Sequence, residues 1–294
     1  MTPRQPDRRK WHYIALLVLL LVLAVVRHYN TSAGGNTDRH PNGDTTTVDY
    51  SVAVANAAVH PSTTAQLMRV TVNDTVSKVV YRSYTGYDTY YSTRYNVPVA
   101  SVYELTADEL RGKASRDKAQ FRDDESIKGC AWGNDYSGSG YTRGHMTPAG
   151  DLKWDQQALN ESFLMTNICP QDKDMNEGAW GNLELKVREW AARDKSLIVV
   201  TGPVLSDNMT YIGRRHRVAV PKRFYKVVLA PDAQPMRAIG FVYDNRPGDT
   251  ASIKSHAVSV DHIEQLTGLD LFASLPDSLE NIVERDTNID KWLY

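Results

Sequence analysis

Residues 141–151 read Tyr-Thr-Arg-Gly-His-Met-Thr-Pro-Ala-Gly-Asp, with Arg143 two residues before His145. In an extended segment, two-residue alternation sends both side chains to one face. The pair suits phosphate chemistry, because a guanidinium binds phosphate oxygens as a planar fork. An imidazole takes a proton near neutral pH. A second stretch, residues 166–188, supplies Asn167, Asn176, Glu184 and Arg188. If a helix starts near Asn176, steps of about 100° put Glu184 about 80° and Arg188 about 120° around from it, on one side. Glu184 and Arg188 are then four residues apart and can touch. Asn176 offers a hard oxygen to Mg2+, an ion that takes few protein ligands. The plainer alternative makes Asn176 a helix cap and Glu184–Arg188 a surface ion pair.

The elements around these residues follow from their patterning. Residues 97–105 have strand character, and 133–141 form a glycine-rich loop without the spacing of a nucleotide loop. Residues 155–162 read as helix and 163–168 as an apolar strand. A helix over 176–193 packs through Met175, Trp180, Leu183 and Val187. Residues 197–200 form a buried strand closed by Gly202-Pro203, and 224–229 and 238–243 are two more strands. Ser259 caps a helix that Gly268 ends. Strands and helices mingle without regular alternation, so the class is α+β. Trp154 and Trp180 are read as core, and His256 and His262 as structural or exposed.

The 294 residues are 41 % hydrophobic, enough for a core, and carry a formal net charge of −1. No global basic field advertises nucleic-acid binding, so a polyanion site must be a local patch. The densest basic run is Arg214-Arg215-His216-Arg217, with Lys222-Arg223 beyond. It reads equally as a phosphate-binding edge or a solvated charge run.

Arg4, Arg8, Arg9 and Lys10 outnumber Asp7 ahead of an apolar run over residues 11–26. That order suits an export signal, either an uncleaved membrane anchor or a cleaved peptide. The expected organisation is a signal segment over 1–28, a flexible linker over 29–65 and a folded domain over 66–294, placed outside the cytoplasm. Cys130 and Cys169 would there suit one disulfide, with two free buried thiols as the alternative.

Together the two stretches resemble the DNA/RNA non-specific endonuclease family, of the ββα-metal fold. Its Asp-Arg-Gly-His signature matches Thr142-Arg143-Gly144-His145. Its Asn-x-x-Pro-Gln segment matches 167–171, and its Asn-x-Gly-x-Trp-x-x-Leu-Glu helix matches Asn176 through Glu184. Weaker likenesses at 103–106, 200–203 and 259–272 extend the resemblance over roughly residues 66–276. It implies a central mixed or antiparallel sheet flanked by helices, and Mg2+-dependent hydrolysis of DNA and RNA to 5′-phosphate ends. Mn2+ is an admissible substitute for Mg2+. His145 would be the general base and Asn176 the metal ligand. Glu184 would orient the waters around the metal, and Asn167 would position those waters or His145 by hydrogen bonding. Arg143 and Arg188 would stabilise the phosphate charge. Thr142 stands where the family has Asp, which should alter local hydrogen bonding and keep the chemistry.

Three alternatives stay open: a degenerate nucleic-acid-binding module of the same fold, an anchored surface protein, and a phosphodiesterase for other substrates. A homodimer and a membrane contact through the N-terminal segment are also left open.

Overall fold

The structure is a computed structural model that describes residues 63–73, 77–117 and 119–294. The expected signal segment and nearly all of the expected linker lie outside these residues. Among the described residues, no helix is long and apolar enough to cross a membrane.

After a single helical turn at Thr64–Leu67, a three-residue strand follows, β1 (Val70–Val72). An antiparallel meander then runs through β2 (Val79–Ser83), β3 (Asp88–Ser92) and β4 (Val97–Thr106). A short pair follows, β5 (Thr142–His145) against β6 (Ile168–Gln171). Helix α1 (Gln156–Glu161) lies in the connection, capped by the Asp155 carboxylate. Helix α2 (Gly181–Asp194) leads into β7 (Ser196–Val204). Next come β8 (Thr210–Ile212), β9 (Val218–Val220), β10 (Arg223–Ala230), β11 (Arg237–Asp244) and β12 (Ala257–Val258). Helix α3 (Val260–Thr267), β13 (Leu269–Leu271) and helix α4 (Asp277–Arg285) close the order, before a last turn at Asp290–Leu293.

Seven strands form the central sheet in the order β12-β11-β10-β7-β4-β3-β2, and every pairing is antiparallel. The sheet is therefore antiparallel, which narrows the expected "mixed or antiparallel". Strand β7 is buried along its whole length, as expected of a strand covered on both faces. It runs through Pro203, beyond the expected 197–200. Pro203 pairs only with β10, past the end of the β4 ladder, so its missing N–H costs no ladder bond.

Alternation splits the core in two. Phe224 and Val228 of β10 and Leu197 and Val199 of β7 join Trp180, Leu183, Val187 and Trp190 of the α2 region. Tyr225, Val227 and Leu229 of β10 join Val260 and Ile263 of α3 and Leu279 and Val283 of α4. Helix α2 thus covers one face of the sheet, and α3 and α4 cover the other.

Residues 163–168 are not one strand: a 3-10 turn at Met165–Asn167 precedes β6. The turn carries the Asn167 side chain into a web of backbone contacts that a flat strand would not reach. Trp154 is 38 % exposed, contrary to its expected place in the core, whereas Trp180 is fully buried. Cys130 and Cys169 are free, buried thiols, so the expected disulfide is corrected to its alternative. They sit in different apolar clusters, and the Cys130 thiol instead donates to the Asp124 carbonyl at 3.3 Å.

Candidate active site

Strand β5 carries Arg143 and His145 to one side, and the α2 region brings Asn176, Glu184 and Arg188 to meet them. All five line one cavity of about 430 Å³, together with Arg116, Phe121, Pro148 and Glu177. Gly144 between Arg143 and His145 is required by packing. A Cβ there would land on the Gln171 side chain of the paired strand β6.

The helix reaches the cavity by a route the α-helical step does not foresee. A turn at Lys173–Met175 passes into a π-helical turn, Asn176–Trp180, before α2 begins. A π turn takes up one extra residue. From Asn176 the helix then advances to Glu184 as by seven α steps and to Arg188 as by eleven. At about 100° per step, both fall within about 20° of Asn176. The π turn thus converts a spread of about 120° into a single stripe. Gly178 and Gly181 in and after this turn were its only sequence signal.

His145 is packed among rings, with Phe163 edge-on at 4.8 Å and Phe121 at 5.4 Å between centroids. Its Nε2 is buried and has no hydrogen-bond partner among the described residues. Burial first, and the Arg116 cation second, lower its pKa to about 3. The imidazole is neutral and holds one nitrogen lone pair for a proton.

Asn176 donates from Nδ2 to the Thr142 hydroxyl at 3.2 Å, and that hydroxyl donates to the Gln171 carbonyl at 2.9 Å. Thr142 thus fixes which end of the Asn176 amide faces it. Arg143 donates from Nη2 to the Gly133 carbonyl at 2.8 Å and lies over the Phe121 ring.

Arg188 does not pair with Glu184, as the four-residue spacing suggested. It donates to Asp151 at 2.5 Å, and the Asp151 side chain is fully buried. Tyr103 donates to the other Asp151 oxygen at 2.7 Å. A buried carboxylate needs a fixed cation close by, and Asp151 outcompetes a neighbour on the same helix.

Glu184 is left beside Lys226, a residue the sequence reading did not single out. Lys226 is completely buried, and its Nζ lies 4.8 Å from the centre of the Trp180 ring without a hydrogen-bond partner among the described residues. Burial raises the Glu184 carboxyl and depresses the Lys226 ammonium, and their mutual attraction opposes both shifts. Lys226 was legible only as a lysine in the apolar run Phe-Tyr-Lys-Val-Val-Leu, on the parity that faces Trp180.

Asn167 is brought near His145 only through backbone. Its Oδ1 accepts from Ser101 and from the Thr147 N–H, and its Nδ2 donates to the carbonyls of Thr147 and Ser162. With all four amide positions used, it has none for a metal's waters. It pins the loop that follows His145.

The basic run adjoins this site. Arg215 lies 3.7 Å above the Trp132 ring, and His216 meets Asp135 at 2.8 Å. Asp135 also accepts from the backbone of Trp132, Arg215 and His216. Burial would raise its carboxyl, but these bonds hold it below the ordinary range. They tie the β8–β9 hairpin to the loop whose Gly133 holds Arg143. His256 stacks on Tyr243 and His262 is exposed, as expected.

The model of the DNA/RNA non-specific endonuclease family matches residues 63–278. Nuclease EXOG, mitochondrial, of Danio rerio is 34 % identical over 209 residues, covering 66 % of this chain and 61 % of the relative. The mitochondrial nuclease of Saccharomyces cerevisiae is 31 % identical over 220 residues, covering 67 % of each. The chain therefore spans about three-fifths to two-thirds of the length of these relatives. The solved complex of EndoG with EndoGI superposes with a TM-score of 0.63 at 31 % identity, covering 68 % of this chain and 88 % of that one. These names correct the expected extracytoplasmic placement, because the relatives are mitochondrial proteins. A basic flank is not specific to export, since organelle-targeting segments carry one too.

Proposed function

The chain belongs to the DNA/RNA non-specific endonuclease family, and from that premise we propose that it hydrolyses phosphodiester bonds of DNA and RNA at the cavity between β5 and α2. The observation that carries this reading is the convergence of His145, Arg143, Asn176, Glu184 and Arg188 on that cavity.

The cavity's donors fit a hard divalent ion such as Mg2+. Asn176 and Glu184 offer the cavity an amide and a carboxylate oxygen, and Glu184 makes no ion pair within 4 Å among the described residues. When bound, the ion supplies positive charge to the phosphate under attack. His145 accepts the proton of the attacking water at a ring nitrogen. Its neutrality keeps it ready at any physiological pH, and a phosphate at Arg116 would screen the cation that weakens it. Arg143 and Arg188 hold the phosphate oxygens, with Arg188 aimed by Asp151. Asn167 is a positioning residue, acting through the backbone after His145. Water enters in line, and the 3′ oxygen leaves, so the new end carries a 5′-phosphate.

The Arg215–Trp132 ledge is offered for a flanking stretch of strand, by charge and by stacking. Contacts to phosphates carry no sequence information, so cleavage should be sequence-tolerant.

Digestion of supercoiled plasmid by the full chain, with Mg2+ or EDTA, tests the reading. His145→Ala should lower the rate about 10²–10⁴-fold, the usual share of a general base. Intact plasmid with wild-type protein across several divalent metals would favour the degenerate binding module.

A further inference from the structure

On the sheet face opposite the cavity, Asp261 and Glu264 project from α3 toward Glu284 of α4, where one oxygen from each lies within 4.8 Å of the others. Asp261 and Glu264 are three residues apart and share a helix face. Glu284 is only 6 % exposed, and its Oε1 is buried without a hydrogen-bond partner among the described residues. A bare carboxylate oxygen in such a place is costly unless a cation or a proton meets it.

The surroundings supply little compensation. Glu264 accepts one backbone bond, from Leu271 at 2.6 Å. Asp261 faces only the exposed Arg285, at 3.7 Å. Asp270 and Glu280 add further negative charge, and burial with this crowding raises Glu264 to about 7 and Glu284 to about 9.

We infer that Asp261, Glu264 and Glu284 form a binding site for a divalent cation of calcium's size, which clamps α4 to α3. Two oxygens on one calcium, at about 2.3–2.6 Å each, stand at most about 5 Å apart, so the cluster can close on the ion with little movement. Three carboxylates also offer enough oxygens for its high coordination number. Mg2+, shorter-bonded and slow to lose water, suits such an all-protein cage less well. The inference stands on this cluster alone and does not depend on the reading of the cavity.

Thermal unfolding and titration calorimetry of the full chain, with CaCl2 as the only added divalent salt, test it. Saturating calcium should raise the Tm by about 4–8 °C. Asn176→Ala, altered in the cavity, should keep that rise, whereas Glu284→Gln or Asp261→Asn, each added to Asn176→Ala, should lose it. The two variants are read separately, so that one failing to fold leaves the other decisive. A Tm rise that survives in a folded protein carrying Asn176→Ala with Glu284→Gln or with Asp261→Asn overturns the site. So does the absence of heat and of any shift at about 10 mM calcium, above the weakest usual range, or an equal shift from magnesium in the Asn176→Ala protein.

Discussion

Beneath helix α2, every buried ionised group has an opposite charge nearby: Asp151 holds Arg188, and Lys226 faces Glu184. Across the same sheet, between α3 and α4, three carboxylates converge with one exposed arginine among them. The sheet separates them, so neither can neutralise the other. In the first arrangement each of these buried charges is matched inside the fold. The second presents spare anions. Charge pairing, more than burial, is what distinguishes the two faces.

The comparison breaks most readily at Asp151. Replacing it by alanine takes the ion-pair partner from the partly buried Arg188, and removal of one member of a buried pair costs about 3–5 kcal/mol. Urea unfolding of Asp151→Ala should show a loss of this size. A loss under 1 kcal/mol would mean that the pair is not what holds the cavity side together. Cleavage should fall as well, because Arg188 loses its aim.

The next effect concerns His145, whose neutrality comes from its walls. Phe163→Ala removes the ring packed edge-on against it and lets water in. Desolvation is the first cause of the lowered pKa, so the value should climb from about 3 toward the ordinary 6.5. A metal-free NMR titration of the imidazole reads this directly. The same linkage sets a stability trend: the unfolded chain binds this proton first, so wild-type stability falls as the pH drops from about 6.5 toward 3. The variant should lose part of that slope. An unmoved titration would show that Arg116, and not burial, controls the imidazole.

A change of the reverse sign is expected on the opposite face. Glu284 has a folded pKa raised to about 9. Its contribution is present below the unfolded value and is lost as pH rises from about 4.5 to 9. In chelator, the Tm of the wild type should decline over that window more steeply than that of Glu284→Gln. Parallel curves would mean that the crowding is relieved by means other than a proton.

Much of the cavity was legible because its residues lie close in sequence and on regular elements. Arg143 and His145 follow strand alternation. Met175, Trp180, Leu183 and Val187 follow helical spacing, and all four are buried. The illegible part depends on long-range competition. Nothing local shows that Asp151 will claim Arg188 from Glu184, or that a lysine in β10 will lie under Trp180. The π turn was illegible for a different reason: residue spacing is read with one assumed period, and here the period changes at Asn176, where the site needs it to.

The finest distinction lies at Thr142, where the family signature has Asp. Its hydroxyl accepts from Asn176 and donates to Gln171, a relay that an aspartate could join only as acceptor. Thr142→Val keeps the shape and removes the oxygen. A neutral hydrogen bond is worth about 0.5–1.5 kcal/mol, so the Asn176 amide should lose its orientation without loss of fold. The half-saturating Mg2+ for plasmid cleavage should then rise about 2–10-fold, with the maximal rate nearly kept. A fall in maximal rate at unchanged Mg2+ dependence would place Thr142 on the side of His145 instead. The strand and the helix would then divide their labour differently: Thr142 would serve the proton, and Asn176 would be held by the helix alone.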